Sequence, residues 1–329
     1  MYQPLIKFHP YPAIITQVLS IFAICNKVSE LFVNYINLIL MKKMYFLPFV
    51  AALFVSCAEN KPQSENDVVA QNENFVVTDE KPLITAPPDS LGLDPFYTKY
   101  MNVNGIPVCS SWRVPDSCFH AAYITYKALT DMLPEKVMKS LVDNKARISI
   151  MARYEGTTDL PEHAYLANDT SINWDLRARG LGGTLEEPLS SCAEENILGY
   201  QIDKYHAESI AIHEFAHTIH NVGIAPIEPG FNDELRNALK AALAEGKYKN
   251  VYAGTNIEEY WAEGVQSWFN VNAEVDKEFG DGKHNMVNTR EELKRYDPTL
   301  YNILARYFPA TDKQICYHKK INIYNWTGE

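Results

Sequence analysis

Residues 207–222 read AESIAIHEFAHTIHNV. Apolar residues recur in this stretch with the period of an amphipathic helix, and Gly223 ends the pattern. His213 and His217 are four residues apart, so their imidazoles lie on the same face of that helix, with Glu214 between them in the sequence. This HExxH pattern predicts a helix that binds one divalent metal ion through its two histidines.

The two histidines need a third protein ligand. Neutral imidazole suits Zn²⁺, and a catalytic zinc has three protein ligands and one open position for water. The metzincin pattern HExxHxxGxxH is excluded, because His220 stands where the glycine is required and Gly223 where the third histidine is required. We expect His220, one turn further along, at the rim of the site or behind the ligands.

A second acidic segment offers the third ligand. Asn256 is a suitable N-cap for a helix that extends to about residue 270. Glu259 and Glu263 are four residues apart and share one face of that helix, so one can bind the metal while the other hydrogen-bonds a ligand histidine. Spacing alone does not separate Glu258 from Glu259, and a solvated acidic stripe is the alternative.

These two segments together carry a resemblance. HEFAH at 213–217, followed about forty residues later by Tyr252, Glu259, an aromatic pair and Glu263, resembles the catalytic core of the anthrax lethal factor family of zinc endopeptidases, which are of the gluzincin type. The resemblance covers residues 207–270. It implies that Glu259 is the third zinc ligand, that Tyr252 lies over the metal and assists the transition state, and that Glu263 follows one turn later.

Two further stretches, RARGLGG at 177–183 and EYWAEGVQSWF at 259–269, resemble a widespread group of uncharacterised secreted zinc peptidases. This second resemblance adds a family name but no characterised activity. For Tyr252, the alternative is a tyrosine that only packs on the surface.

The residues predict a hydrolytic mechanism. A zinc ion lowers the pKa of its bound water to about 7 and polarises a carbonyl, and Glu214 serves as general base. Tyr252 donates to the oxyanion, a contribution of about 3 kcal/mol. The expected substrate is a peptide or protein, lying along an edge strand at 147–151. The alternative is a non-catalytic surface-binding lipoprotein with a structural metal site.

Composition and periodicity bound the fold. The chain has 329 residues, 47% of them hydrophobic, and a formal net charge of −11, which argues against nucleic acid as a partner. We expect a monomer with one α+β, zincin-like domain over 93–329, mostly helical, with a small sheet beside the HExxH helix. The predicted helices are 119–132, 135–142, 207–222, 233–244 and 256–270, with two more opening at Thr289 and Asp297; the predicted strands are 147–151 and 196–202.

The first 92 residues have a different composition. Met41, Lys42 and Lys43 precede an apolar run over 44–55 that is too short to span a membrane and is typical of a signal peptide. Its end, Phe-Val-Ser-Cys57, resembles the lipobox of bacterial lipoproteins, which implies acylation of Cys57. Residues 1–56 are thus a leader, with 1–40 either a translation start assigned too far upstream or an anchor around 13–24, and 57–92 a disordered tether. We expect an exported outer-membrane lipoprotein that contacts the membrane only through its lipid, on the periplasmic or the outer face.

Cysteines and glycines complete the expectations. Four cysteines of the body, Cys109, Cys118, Cys192 and Cys316, are an even number that suits two disulfides in an oxidising compartment, and the first two are the most local pair. The glycine-rich stretch 178–184 lacks the ending of a phosphate loop, so we expect a loop that faces the substrate or supports the fold.

Overall fold

The computed structural model describes residues 81–275 and 281–316. The predicted leader 1–56, the acylated Cys57 and most of the tether lie outside these residues. The described end of the tether contacts the sheet, since Thr85 exchanges two backbone hydrogen bonds with Tyr100. The folded region therefore begins before residue 93, the position at which we expected it to start. Within the described residues, no helix combines the length and the apolar content that crossing a bilayer requires.

A small mixed sheet of five strands lies at the centre of the fold, in the order β1-β2-β3-β5-β4. The two outer pairs are antiparallel, and β2, β3 and β5 run parallel. The α+β class is therefore confirmed. The strands are β1 Lys99–Val103, β2 Ile106–Ser110, β3 Arg147–Met151, β4 Gly180–Leu181 and β5 Leu189–Ala193.

The helices pack against this sheet and against one another. Three caps that we predicted are confirmed: the side chains of Asn256, Thr289 and Asp297 each accept a hydrogen bond from a backbone N–H in the first turn. The helices are α1 Asp116–Met132, α2 Glu135–Asp143, α3 Trp174–Arg177, α4 Glu194–Leu198, α5 Ile210–Thr218, α6 Phe231–Ala244, α7 Ile257–Trp268, α8 Arg290–Tyr296 and α9 Pro298–Leu304.

Two strand predictions need correction. Residues 196–202 do not form a strand: they belong to α4 and to the turn after it, where Gly199 ends the helix at a φ of 65°. Residues 147–151 do form a strand, but β3 lies between β2 and β5 and is the centre of the sheet. It cannot pair with a substrate peptide, because both of its edges are already used.

The expected disulfides are wrong. Cys109, Cys118 and Cys192 are free, buried thiols, so no pair forms among the four cysteines of the body that the structure describes. Each fills apolar space in the core as a small hydrophobic residue. Burial raises the pKa of the Cys109 and Cys192 thiols to about 12, and Cys192 Sγ lies 3.2 Å from the Tyr126 hydroxyl. These thiols are therefore neutral and unreactive at neutral pH.

The helix α5 is held between the sheet and α7. Its apolar face packs on β5, and its residues Ile212, Phe215 and Ala216 are fully buried. On the other side, Trp261 of α7 donates from Nε1 to the backbone oxygen of Ala216 at 2.9 Å. Because two different faces of α5 are packed, the polar face between them has a fixed direction.

Candidate metal centre

Three side chains from α5 and α7 converge on one point. His213 Nε2 lies 3.1 Å from Glu259 Oε2, His217 Nε2 lies 3.2 Å from His213 Nε2, and His217 Nε2 lies 3.4 Å from Glu259 Oε2. The helical spacing of four residues stacks the two imidazoles, with ring centroids 4.8 Å apart. The Asn256 cap fixes the start of α7 and so sets the rotation that directs Glu259 toward them.

This triangle fits a zinc ion. Zinc–nitrogen and zinc–oxygen bonds of 2.0–2.2 Å at a tetrahedral angle place neighbouring ligand atoms about 3.3 Å apart. The three observed separations all lie close to that value. Two imidazole nitrogens and one carboxylate oxygen are also the donor set of a catalytic zinc site that keeps a position for water. Glu258, the alternative left open by the spacing, lines the cavity but does not join this triangle.

Polar groups on the Nδ1 side of the His213 ring, away from the triangle, fix the orientation of that ring. Its Nδ1 lies 2.8 Å from Gln266 Oε1 and 3.8 Å from Glu263 Oε1. Gln266 in turn donates to Glu208 and to the backbone oxygen of Ser209. With Nδ1–H donated to Gln266, Nε2 is the free nitrogen and faces the triangle. Gln266 therefore lies nearer to His213 than Glu263 does, although we expected Glu263 to hydrogen-bond a ligand histidine.

The charge on His213 depends on the same neighbours. Burial alone would lower the pKa of this imidazole, but the hydrogen bond to Glu259 and the charges of Glu214 and Glu263 outweigh it and raise that pKa to about 10. The carboxyl of Glu259 responds in the opposite sense: despite its burial, the two histidines hold its pKa far below the usual range. The site is thus strongly attractive to a positive charge, which a divalent cation can supply in place of the proton.

Glu214 stands at the edge of the triangle and faces a cavity. Loss of solvent raises the pKa of its carboxyl above the ordinary value, against the charges of His213 and His217. Within the described residues no side chain donates a hydrogen bond to this carboxylate, although His213, Gln266 and Glu259 beside it are all paired. A carboxylate with a raised pKa and no fixed partner is suited to accept and return a proton.

Tyr252 lies next to the same triangle, in the short helix Tyr252–Gly254 before α7. Its ring is stacked on His213, with centroids 6.3 Å apart and 20° between the planes. Burial and the charge of Glu259 raise the pKa of its phenol, against a smaller opposite effect of the Arg177 guanidinium. The phenol therefore keeps its proton at any physiological pH and can donate a hydrogen bond.

The glycine-rich stretch lies directly on α5. A Cβ atom at Gly180 would lie 2.8 Å from Glu214 Cγ, and one at Gly182 only 2.3 Å from His217 Cβ. The N–H of Gly183 donates to Thr218 Oγ1 at 2.9 Å. These glycines are needed because the backbone approaches the helix more closely than any side chain allows.

His220 does not lie where we expected it. The helix changes to π-helical hydrogen bonding over Ile219–Ile224, so His220 leaves the face of His217. The ring is fully buried, its Nε2 lies 2.7 Å from Asn232 Oδ1, and it packs edge-on against Phe231. Burial lowers the pKa of His220, so it is a neutral core residue and takes no part in the triangle.

Sequence reasoning missed a second buried cluster, Glu208, Glu263 and His284. Nε2 of His284 lies 3.4 Å from Glu208 Oε1, and its Nδ1 lies 3.5 Å from Glu263 Oε2. Burial alone would lower the pKa of this imidazole, but the two carboxylates raise it to about 11. Because the two ring nitrogens face different carboxylates, an imidazolium ion bridging them fits this geometry better than a metal ion.

A cavity of about 850 Å³ opens onto these groups. Its wall includes His213, Glu214, His217, Tyr252 and Glu259. The edge strand β4, residues of α3 and the segments around 204 and 283 also line this cavity. The three residues of the triangle are therefore accessible to a ligand that enters this cavity.

Comparisons with known proteins give little beyond this geometry. No family model and no curated protein matches the chain. Among solved structures it is similar to the Pro-Pro endopeptidase from Paenibacillus alvei, with 19% identity, a TM-score of 0.36, and coverage of 57% of this chain and 91% of that chain. Nothing in these comparisons places the chain in the lethal factor family. A likeness this distant carries no information about activity, and the functional conclusion rests on the geometry of the site.

Proposed function

We propose that this chain is a zinc-dependent endopeptidase whose metal is held by His213, His217 and Glu259. The observation that carries the proposal is the triangle of three donor atoms, 3.1–3.4 Å apart, at the wall of a cavity that also holds Glu214, whose carboxylate has no hydrogen-bond partner among the described residues. A structural zinc is closed by four protein ligands. Within the described residues only three donors converge here, which favours a catalytic site over a structural one.

The chemistry divides among the chain's own residues. A zinc ion held by His213, His217 and Glu259 would polarise the scissile carbonyl as a Lewis acid and would acidify the attacking water. Glu214 takes the proton of the attacking water, as its raised pKa allows, and returns it to the leaving amine. Tyr252, a phenol that stays protonated, donates to the oxyanion that develops on the scissile carbonyl.

The edge strand β4 is the proposed docking strand for the substrate. Gly180 and Leu181 pair with β5 on one side only and line the cavity. An extended peptide that adds to the free side of β4 passes directly over Glu214 and His217, since the glycines bring this strand against α5. This replaces β3, whose two edges are occupied.

Export and lipid anchoring through Cys57 are part of the proposal, and they rest on the sequence of residues 41–57 alone. The outer-membrane location rests on the same residues, and the monomeric state is an expectation for the folded domain. The non-catalytic lipoprotein with a structural metal is the less favoured alternative, because it assigns no role to the enclosed Glu214 carboxylate.

Peptide-library cleavage tests the proposal. The zinc-loaded wild type is expected to cleave a proteome-derived peptide library, and Glu214→Gln is expected to lose at least about 100-fold in kcat/KM while it keeps one zinc per chain. Glu291→Gln, an exposed glutamate on α8, is the matched control and should cleave like the wild type. Cleavage by Glu214→Gln at the wild-type rate would overturn the proposed general base. A zinc-loaded wild type that cleaves no peptide would overturn the proposed endopeptidase.

A further inference from the structure

Three basic residues, Arg177, Lys204 and Lys283, line the cavity near one tyrosine, Tyr205. Lys204 Nζ lies 5.0 Å and Lys283 Nζ 5.5 Å from the centroid of the Tyr205 ring. The Tyr205 hydroxyl donates to the backbone oxygen of Arg177 at 3.2 Å, and Lys204 donates to the backbone oxygen of Leu176. Arg177, Lys204 and Lys283 come from three separate segments, so the fold assembles this basic cluster. All three residues line the cavity.

In the part of the chain that the structure describes, the cluster has no internal counter-ion. Within residues 81–275 and 281–316, no carboxylate lies within 4 Å of the charged atoms of Arg177, Lys204 or Lys283. Arg179, a fourth cation on the same wall, is by contrast paired with Glu195 at 2.6 Å. Partial burial and the charges of Arg179, Lys283 and Arg177 lower the pKa of Lys204. Unpaired like charges so close together repel, and a bound anion relieves that repulsion.

The cluster is joined to the reaction centre. The N–H of Tyr252 donates to the backbone oxygen of Lys283 at 2.8 Å, and the Arg177 guanidinium is near enough to the Tyr252 phenol to affect its pKa. A ligand that binds over Tyr252, beside the triangle, is therefore close to Arg177 and to the segment that carries Lys283. The chain as a whole has a net charge of −11, so this positive rim is a local exception that attracts anions to the cavity.

We propose that Arg177, Lys204 and Lys283 form a subsite that binds a carboxylate of the peptide substrate close to the scissile bond. This inference rests on the proposed function. The carboxylate is either the side chain of an aspartate or glutamate residue or the C-terminal carboxylate of a short peptide. The subsite makes the enzyme selective for acidic peptides, although the protein itself is acidic.

Paired peptide pools test this subsite. One pool of labelled hexapeptides carries Asp or Glu at each position in turn, and the matched neutral pool carries Asn or Gln at the same positions. Both pools are made in two forms, one with a free and one with an amidated C-terminus. The wild type should prefer the acidic residue about tenfold in kcat/KM at one position, and less at 0.5 M salt. Preference that persists in amidated peptides identifies a side-chain carboxylate, and preference lost on amidation identifies the C-terminus.

The double variant Lys204→Met/Lys283→Met should reduce the preference to less than about twofold, whereas Lys240→Met, an exposed lysine on α6, should leave it unchanged. Equal cleavage of acidic and neutral pools by the wild type, or a preference that survives the double variant, would overturn the subsite.

A binding measurement separates the subsite from the proposed endopeptidase. Fluorescence anisotropy of the same labelled pools with zinc-loaded Glu214→Gln protein reports binding without turnover. Tighter binding of the acidic pool, lost in the same protein with both lysines replaced, supports the subsite even if the wild type cleaves nothing. Cleavage without any acidic preference in rate or binding would instead leave the endopeptidase standing and remove the subsite.

Discussion

The contact between Gly182 and His217 makes a quantitative prediction for Gly182→Ala. The added methyl group would lie 2.3 Å from His217 Cβ, whereas ordinary contacts begin at 3.4 Å, so the two atoms must separate by about 1.1 Å. The strand cannot easily retreat, because Leu181 donates to Ser191 Oγ and Gly183 to Thr218 Oγ1. His217 must therefore move. Overpacking of this kind destabilises a protein by about 1–3 kcal/mol.

The displacement of His217 should be visible in zinc binding and in rate. A shift of about 1 Å in a reacting group costs about 100-fold in rate, and a loss of ligand positioning costs 10–100-fold in metal affinity. Competition with a fluorescent chelator measures the zinc affinity, and urea unfolding measures the stability. Gly230→Ala is the control, since its Cβ meets nothing within 4 Å and its φ of −89° suits alanine. Wild-type zinc affinity and stability in Gly182→Ala would refute the close approach of β4 to α5.

Three further predictions follow from the same site. Gln266→Leu should weaken zinc binding about 10–100-fold, because Nδ1 of His213 loses its hydrogen-bond acceptor. Chelator competition measures the affinity, and the exposed Gln201→Leu is the control. An unchanged zinc affinity in Gln266→Leu would exclude the positioning role of Gln266. Tyr252→Phe should keep the zinc and the fold but lower kcat about 100-fold or more, since a lost oxyanion donor costs about 3 kcal/mol; steady-state kinetics on a cleaved peptide checks it, and an unchanged kcat would contradict it. Zinc affinity should rise with pH between 6 and 9, since metal-free His213 has a pKa raised to about 10 and must release its proton to bind zinc. Isothermal titration calorimetry in buffers of different ionisation enthalpy should detect the released proton. Zinc binding without proton release would show that metal-free His213 is already neutral.

The two helices of the site could be predicted because their signals are local. His213 and His217 are one helical turn apart, as are Glu259 and Glu263, and the caps of α7, α8 and α9 are single residues beside the first turn. Gln266 was within reach of the same reasoning. It follows Glu263 by three residues and therefore lies on the same face of α7.

The strands were harder, for two different reasons. The β1–β2 hairpin does have a local signal in the pair Asn104-Gly105, whose φ values of 51° and 90° are those that a type I′ turn requires. Strand β5 has none, since all five residues of Leu189–Ala193 are buried and no alternation of polar and apolar residues marks it. Strand β4 is only two residues long, too short for any pattern.

The rest of the site could not be predicted, because it is assembled from distant segments. His284 comes from a loop and meets Glu208 seventy-six residues earlier in the chain. Arg177, Lys204 and Lys283 likewise share no helix or strand face. Their meeting depends on the packing of the sheet and helices, and no local spacing encodes it. The π-helical turn that removes His220 from the site is equally a result of packing.

X-ray absorption spectroscopy of the zinc-loaded protein tests the central claim most directly. The triangle of His213, His217 and Glu259 predicts four nitrogen or oxygen ligands at about 2.0–2.2 Å, two of them imidazoles, and no sulfur. Glu259→Ala should change this ligand shell and lower the zinc occupancy. A shell that contains cysteine sulfur, or one that is the same in the wild type and in Glu259→Ala, would contradict the proposed metal site.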